Sequence, residues 1–229
     1  EPPPPGFTTR LHDALADIAW HRYPDRSYRE LRAALADQHN VRPEQVFVAN
    51  GSNEVLLSLC LAYGGPGRPA VVFEPTNAMH SHIAKVAGTD VQVGERAPSL
   101  ALDPDLARQL LADAQPDITF LCSPNNPTGM VEPADIIASL VDAAPGLVVV
   151  DEAYGEFSPT SALTLVSEQR PLVVTRTYSK TWAMAGVRLG YLIGPSWLVA
   201  ELDKVVLPYH LDAMKQAAGT VALAFSDEM

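Results

Sequence analysis

This sequence carries a set of polar side chains that could act together on one small ligand. A Gly-Ser turn suits a phosphate, an amide suits a ligand oxygen, and a carboxylate suits a cationic ring nitrogen. A lysine amine can attack a carbonyl carbon, and an arginine guanidinium can hold an anion. The residues that carry these groups are Gly51, Ser52, Asn126, Asp151, Lys180 and Arg188.

The segments that must position these residues alternate between strand-like and helix-like patterns. Short apolar runs bounded by Gly, Pro or Asn predict buried strands, and the amphipathic stretches between them predict helices. This alternation predicts an α/β fold with a mostly parallel sheet and helices on both faces, in which ligands bind beyond the carboxyl ends of the strands. The predicted strands are 46–49, 70–74, 118–122, 147–151 and 172–176, and the predicted helices are 29–38, 54–62, 78–87, 104–114 and 133–143.

The composition narrows the classes of protein to consider. With 229 residues, 47% of them hydrophobic and 19% charged, the chain is typical of a soluble globular protein. The net charge of −11 argues against a nucleic-acid surface, and we expect no membrane span and no signal peptide. Cys60 and Cys122 lie in apolar stretches without metal or disulfide spacing, which predicts reduced core residues of a cytoplasmic protein that holds no metal.

The first two candidate groups lie in two turns, at residues 50–54 and 123–129. A Gly-Ser turn at a helix N-terminus presents free N–H groups and the positive end of the helix dipole to an anion. Taken alone, the same letters are explained more readily by Ser52 or Asn53 as a helix N-cap. The second turn is rigid because it holds two prolines and a glycine, and Asn126 could direct its amide at a ligand oxygen.

The two ionisable candidates at later strand ends also allow ordinary interpretations. Asp151 closes an apolar strand, so it needs a donor or a cation, which could be a helix N-terminus, an ion pair or a protonated ring nitrogen of a ligand. Lys180 could be a solvated surface lysine, but Ser, Thr and aromatic neighbours at a strand end would let it lose its proton more easily. Arg188 could bring a fixed guanidinium to an anion.

The combination is more informative than any single group. Pyridoxal phosphate (PLP) needs donors for its phosphate, an anion for its ring nitrogen, donors for its phenolic oxygen and a lysine for its aldehyde. Residues 123–129, the run Asp-Glu-Ala-Tyr at 151–154, and Tyr-Ser-Lys at 178–180 with Arg188 resemble the class I and II aminotransferases of fold type I. The runs Arg-Tyr-Pro-Asp at 22–25 and Gly-Ser-Asn-Glu at 51–54 resemble the histidinol-phosphate aminotransferase branch.

The resemblance implies a role for each matching residue. Lys180 would bond to the cofactor and then act as acid and base, and Asp151 would pair with the ring nitrogen. Asn126 and Tyr154 would donate to the phenolic oxygen. Tyr23 matches the tyrosine that reaches into the neighbouring subunit's site, which implies a homodimer with shared active sites. The cofactor phosphate would be held by backbone groups of Ser52 and Asn53, the Ser179 hydroxyl and Arg188.

The sequence departs from the family pattern in three places. Asn77 stands where the family usually has an aromatic ring that stacks on the cofactor, so that stacking is lost, another group such as His80 replaces it, or cofactor affinity is reduced. Asn53 stands where the family usually has Asp, which matters little if the phosphate contact is made by backbone N–H. The chain also ends where the family continues into a small C-terminal domain with an arginine for the substrate carboxylate, so we expect a partial protein. The expected division is an N-terminal arm and first helix at 1–25, the PLP-binding large domain at 26–208, and the start of an inter-domain helical region at 209–229.

The resemblance implies one leading function and leaves others open. The leading one is transfer of an amino group from L-histidinol phosphate to 2-oxoglutarate, a step of histidine biosynthesis. The alternatives are an aromatic amino-acid aminotransferase, a threonine-phosphate decarboxylase, and a non-catalytic PLP-sensing domain of a transcriptional regulator.

Overall fold

The computed structural model describes residues 2–228, in which seven strands form one sheet. The strand order is β1-β7-β6-β5-β4-β2-β3, and every strand except β7 runs in the same direction. The predicted fold class, a mostly parallel sheet between helices, is therefore confirmed. The strands are β1 (Val46–Ala49), β2 (Ala70–Glu74), β3 (Val91–Glu95), β4 (Ile118–Cys122), β5 (Leu147–Asp151), β6 (Leu172–Thr177) and β7 (Gly190–Ile193).

The helices lie between and beyond these strands. One example shows how local sequence sets a boundary: the Asp103 side chain accepts hydrogen bonds from the N–H groups of Asp105 and Leu106, and Pro104 begins the helix. The helices are α1 (Phe7–Ala16), α2 (Arg29–His39), α3 (Ser52–Tyr63), α4 (Met79–Val86), α5 (Pro104–Ala114), α6 (Ala134–Ala143), α7 (Ser196–Val205) and α8 (Ala213–Leu223).

Two strands were not predicted from the sequence. β3 lies at one edge of the sheet and carries partly exposed polar residues, so it lacks the continuous apolar run that marks a buried strand. β7 is only four residues long and runs antiparallel between β1 and β6. Its place inside the sheet depends on pairing with two distant segments, which the local pattern does not reveal.

The central strands β4, β5 and β6 are buried on both faces, and alternate residues of each strand contact helices on opposite sides. Val149 packs in a cluster with residues of α3, α4 and α7 on one face. Its neighbour Val150 packs with α5 and α6 on the other face. Next to that second cluster, α1, α2 and α8 cover the β1–β7 end of the sheet and enclose the core residue Trp182.

The two cysteines are core residues as well. Cys60 and Cys122 are buried and form no disulfide, and burial raises the pKa of each thiol to about 12. Across residues 2–228, no cluster of three or more His, Cys, Asp or Glu side chains could hold a metal ion. No helix in the described part of the chain has both the length and the apolar character that crossing a bilayer requires.

Candidate active site

The predicted site residues, apart from Tyr23, gather along one edge of the sheet, where the parallel strands end. Gly51 follows β1, Asn126 follows β4, Asp151 ends β5, and Lys180 follows β6. Arg188 precedes β7 and still reaches the same edge, because β7 is antiparallel and begins where its neighbours end. The unpredicted strand therefore brings the guanidinium to the edge where the other groups lie.

A guanidinium, a hydroxyl and a glycine turn form a cradle for an anion. Arg188 Nη1 donates to Ser179 Oγ at 3.2 Å and to Ala185 O at 3.3 Å. A Cβ atom at Gly51 would lie only 2.8 Å from Arg188 Nη2, so the absent side chain leaves room for the guanidinium. Gly51 also has φ of +88°, a conformation that favours glycine. Within residues 2–228 the Arg188 guanidinium forms no salt bridge, so its charge remains available to a ligand.

The N-terminus of α3 completes this cradle, and it corrects one interpretation of the sequence. The N-cap residue is Gly51, not Ser52 or Asn53, and no side chain caps the helix. The first turn of α3 therefore offers its positive dipole end and its first N–H groups to an anion. The turn rests directly on β7, because a Cβ atom at Gly190 would lie 2.3 Å from the backbone nitrogen of Ser52.

Asp151 is the buried carboxylate of the site, with 2% of its surface exposed. His80 Nε2 lies 2.8 Å from its Oδ2 atom, and because a carboxylate only accepts, this nitrogen carries the proton. The other oxygen, Oδ1, accepts from Ala153 N at 3.0 Å and from Thr175 Oγ1 at 3.4 Å. Two carboxylate oxygens offer about four acceptor sites in all, so Asp151 can still pair with a ligand cation.

No pattern in the sequence indicated a partner for His80. It is 1% exposed, and its ring stacks on Phe120 with centroids 5.4 Å apart and planes at 4°. Its partner Asp151 lies 71 residues further along the chain, so no spacing rule would have found the pair. Asn77 lies three residues before His80, and its Oδ1 accepts from Met79 N at 3.2 Å, which starts the turn into α4. One face of the His80 ring is therefore covered by Phe120.

Lys180 lies three residues beyond the end of β6 with its side chain exposed. Its Nζ atom is 5.2 Å from the ring centroid of Tyr154, which lies three residues beyond the end of β5. Two cavities open beside this pair, and Phe157 lines both of them. One of about 550 Å³ includes Lys180, and one of about 420 Å³ includes Tyr154 and Asn126. A small substrate therefore has space next to the amine.

The two adjacent amides after β4 have different surroundings. Asn125 is buried and rigid, because its Nδ2 donates to Pro75 O at 3.0 Å and its Oδ1 accepts from Thr76 Oγ1 at 2.7 Å. Asn126 is exposed and lines the cavity beside Tyr154. The buried amide thus shapes the turn, and the exposed amide is free to meet a ligand.

Among the predicted site residues, Tyr23 lies away from the sheet edge where the others gather. It lies between α1 and α2 with 81% of its surface exposed. Its ring stacks on Tyr209, with centroids 4.6 Å apart and planes at 20°. Tyr23 does not line either of the two cavities beside Lys180 and Tyr154.

Comparison with known proteins gives a consistent result. The family described as aminotransferase class I and II matches residues 3–229. A histidinol-phosphate aminotransferase of Thermobifida fusca is 43% identical over the whole chain, which covers 64% of that relative. A histidinol-phosphate aminotransferase of Frankia casuarinae is 45% identical over 94% of the chain, which covers 58% of that relative. This chain thus spans about six-tenths of the length of these curated relatives.

A solved structure shares the fold. The histidinol-phosphate aminotransferase of Sinorhizobium meliloti, solved in complex with pyridoxal-5'-phosphate, superposes with a TM-score of 0.90 at 24% identity. The superposition covers 99% of this chain and 62% of that chain. At this level of identity the likeness concerns the fold alone, whereas the family match extends over almost every residue. The chain therefore belongs to the class I and II aminotransferase family.

Proposed function

We propose that this chain carries the cofactor-binding region of a PLP-dependent transaminase that transfers the amino group of L-histidinol phosphate to 2-oxoglutarate, giving imidazole acetol phosphate and L-glutamate. One observation carries the cofactor assignment: the Arg188, Ser179 and Gly51 cradle lies at the same sheet edge as Lys180 and Asp151. The substrate and the place in histidine biosynthesis rest on the curated relatives, which are named histidinol-phosphate aminotransferases.

The residues present fit the proposed cofactor. The uncapped N-terminus of α3, the Ser179 hydroxyl and the Arg188 guanidinium would hold the phosphate. At residues 52–53 the backbone N–H groups would contact the phosphate, so Asn53 in place of an aspartate would change the affinity for the cofactor little. Asp151 would hold a proton on the ring nitrogen, and the bond from His80 fixes the direction of that carboxylate. Asn126 and Tyr154 would donate to the phenolic oxygen.

Lys180 would have two tasks in the reaction. Its amine would hold the cofactor at the aldehyde carbon, in place of the aldehyde oxygen, which leaves as water. Its Nζ atom would also act as the base that accepts the proton of the substrate Cα and as the acid that donates it again. The bound cofactor supplies an electron sink for the charge left on Cα. Asn77 would leave one face of the ring without aromatic stacking.

Substrate addition to the PLP-loaded intact protein tests this function. We expect an absorbance band of lysine-bound cofactor, and loss of that band when L-histidinol phosphate is added. Loss with L-phenylalanine alone would favour the aromatic alternative, and release of carbon dioxide from threonine phosphate would favour the decarboxylase. Absence of the band would contradict cofactor binding by Lys180. A band that no amino donor changes would favour the non-catalytic sensor.

The cradle gives a sharper prediction about a residue that does not touch the cofactor. Gly190→Ala would place a Cβ atom 2.3 Å from Ser52 N, so the α3 turn must move. We expect PLP affinity to fall by about 10- to 100-fold, because N–H groups that miss the phosphate lose their hydrogen bonds. Equilibrium titration of PLP measures this. Gly186→Ala is the control, because a Cβ atom there meets nothing within 4 Å. Equal affinity of the Gly190→Ala variant and the parent would contradict the cradle.

We further propose that the protein is a cytoplasmic homodimer in which Tyr23 of one subunit reaches the site of the other. The exposed Tyr23–Tyr209 stack supports an aromatic contact made outside its own subunit. Free, buried cysteines support a reducing compartment. The division into residues 1–25, 26–208 and 209–229 remains part of this proposal.

Mixed dimers test the shared site. Lys180→Ala and Tyr23→Ala proteins should each be nearly inactive alone, but unfolding and refolding them together should restore activity. The restored activity should be roughly a quarter of the parent's, because half of the dimers are mixed and each holds one intact site. Refolded parent protein sets the scale. No restoration, despite mixed dimers detected by mass spectrometry, would show that Tyr23 acts within its own subunit.

A further inference from the structure

The proposed reaction assigns no task to Arg176, which lies on β6 with only 8% of its surface exposed. Its Nη2 atom donates to Glu152 Oε2 at 2.7 Å, and its Nη1 atom donates to Glu156 Oε1 at 3.2 Å. Nη2 also donates to Ser161 Oγ at 3.1 Å. One buried guanidinium therefore holds two carboxylates and a hydroxyl at the sheet edge that carries the site.

These two carboxylates bracket the reactive segment after β5. Glu152 follows Asp151 directly, and Glu156 comes two residues after Tyr154. The glycine between them lies close to this contact, because a Cβ atom at Gly155 would lie 3.2 Å from the central carbon of the guanidinium. The path of the chain from Asp151 through Tyr154 is thus set at both ends by one side chain on the neighbouring strand.

The same cluster also reaches the segment that carries Lys180. The Thr181 hydroxyl donates to Glu156 Oε2 at 3.4 Å, and Thr181 directly follows Lys180. On its other side, Glu152 Oε1 accepts from the N–H of Ala162 at 2.6 Å. The cluster therefore connects the chain after β5 with the chain after β6.

We propose that Arg176 is a positioning residue of the active site, which holds the Asp151–Tyr154 segment and the Lys180 segment at a fixed separation through Glu152 and Glu156. It touches neither substrate nor cofactor. The inference deepens the proposed function and rests on it for two of its three readouts. The charged and titratable groups that face Arg176 are Glu152 and Glu156 after β5, Tyr191 on β7 and His39 on α2.

Three substitutions test the proposal at different strengths. Arg176→Gln removes the charge and the bidentate geometry, and it leaves Glu152 buried without a cation, so it tests folding as well. Arg176→Lys keeps the charge but cannot hold two carboxylates and a hydroxyl in one plane. Glu156→Gln is the mildest, because it loosens only the arm that leads to Thr181. Arg32→Gln is the control: Arg32 has a similarly shielded side chain, 16% exposed against 10% for Arg176, but it pairs with Asp203 on α7.

The first readout is the split between kcat and KM. Arg176→Lys and Glu156→Gln should lower kcat by about 10- to 100-fold, because misplacing Lys180 by a fraction of an ångström slows proton transfer. KM for the amino donor should stay within about 2-fold, since no substrate contact is removed. The control variant should change neither value. Unchanged kcat in both variants would overturn the proposal.

The second readout is the pH midpoint of the absorbance band of lysine-bound cofactor. Removing a positive charge favours the protonated nitrogen, so Arg176→Gln should raise the midpoint. Removing a negative charge disfavours that proton, so Glu156→Gln should lower it. Each shift should be about half a pH unit. A general loosening of the fold would not shift the two midpoints in opposite directions. Shifts of the same sign in both variants would overturn the proposal.

The third readout needs no cofactor. In the free protein, Arg176→Lys should speed amide hydrogen exchange both in residues 152–157 and in residues 178–182, because both segments lose the same restraint. Faster exchange in only one segment would contradict the connection between them. A parent protein without an absorbance band would refute the proposed function, while the exchange result would still test the role of Arg176.

Discussion

Lys180→Ala is expected to lower transamination by about 10⁴-fold, because it removes both the amine proposed to bond to the cofactor and the base proposed to move the substrate proton. The Lys180 side chain is exposed and projects beside Tyr154. The free energy of unfolding should therefore change by no more than about 0.5 kcal/mol. Steady-state assays measure the loss of activity, a PLP absorbance spectrum measures the loss of lysine-bound cofactor, and thermal unfolding measures the change in stability.

Lys204→Ala is the control that separates the effect of losing Lys180 from the effect of losing any exposed lysine. Lys204 is exposed on α7, where it pairs with Glu201 at 2.6 Å. Lys204→Ala should keep at least half of the parent activity and the full absorbance band. A Lys180→Ala protein that retained the band, or more than about one-hundredth of the activity, would show that another amine carries the cofactor.

Asp151→Asn is expected to lower kcat by roughly 10²- to 10³-fold, because in the proposed role of Asp151 a neutral amide would no longer stabilise a proton on the cofactor ring nitrogen. The side chain keeps its shape, but His80, Ala153 and Thr175 bond to carboxylate oxygens, and an amide replaces one of these acceptors with a donor. Unfolding should become easier by about 1–3 kcal/mol. Kinetics with saturating PLP and denaturant titration separate the two effects.

Two further variants identify the cause. Asp151→Glu keeps the charge on a longer side chain and should lose less activity than Asp151→Asn if the charge is decisive. Glu74→Gln is the matched control, since Glu74 ends the parallel strand β2 as Asp151 ends β5 but is exposed. It should change kcat by less than about 2-fold. Equal losses for the Asn and Glu variants of Asp151 would indicate that geometry, not charge, is what this position supplies.

The sequence by itself determined where most buried strands lie. Four of the five predicted strands match the observed bounds, and β6 is longer by one residue. These strands have nearly continuous apolar runs because parallel strands between two helical layers are buried on both faces. Helix α5 was likewise predicted in full, since Asp103 and Pro104 mark its start locally. Information of this kind is contained in a short window of sequence.

The order of the candidate residues along the chain was also sufficient to anticipate that they would gather at one edge. Parallel strands end on the same side of the sheet, so residues that follow them must lie together. The cap of α3 was assigned wrongly because Ser52 and Asn53 have the right residue types for an N-cap. Only the backbone conformation of Gly51 shows that the helix begins at Ser52, two residues before the predicted start at 54, without a side-chain cap.

The tertiary structure alone decided which distant groups meet. His80 and Asp151 are 71 residues apart, and Arg176 lies 24 residues from Glu152. Their contacts depend on strand order and register, which arise from packing over the whole sheet and leave no period in the sequence. The antiparallel pairing of β7 with β1 and β6 likewise depends on packing over the whole sheet. It brings Arg188 to the anion cradle, and it forms only when β1 and β6 provide edges for it to join.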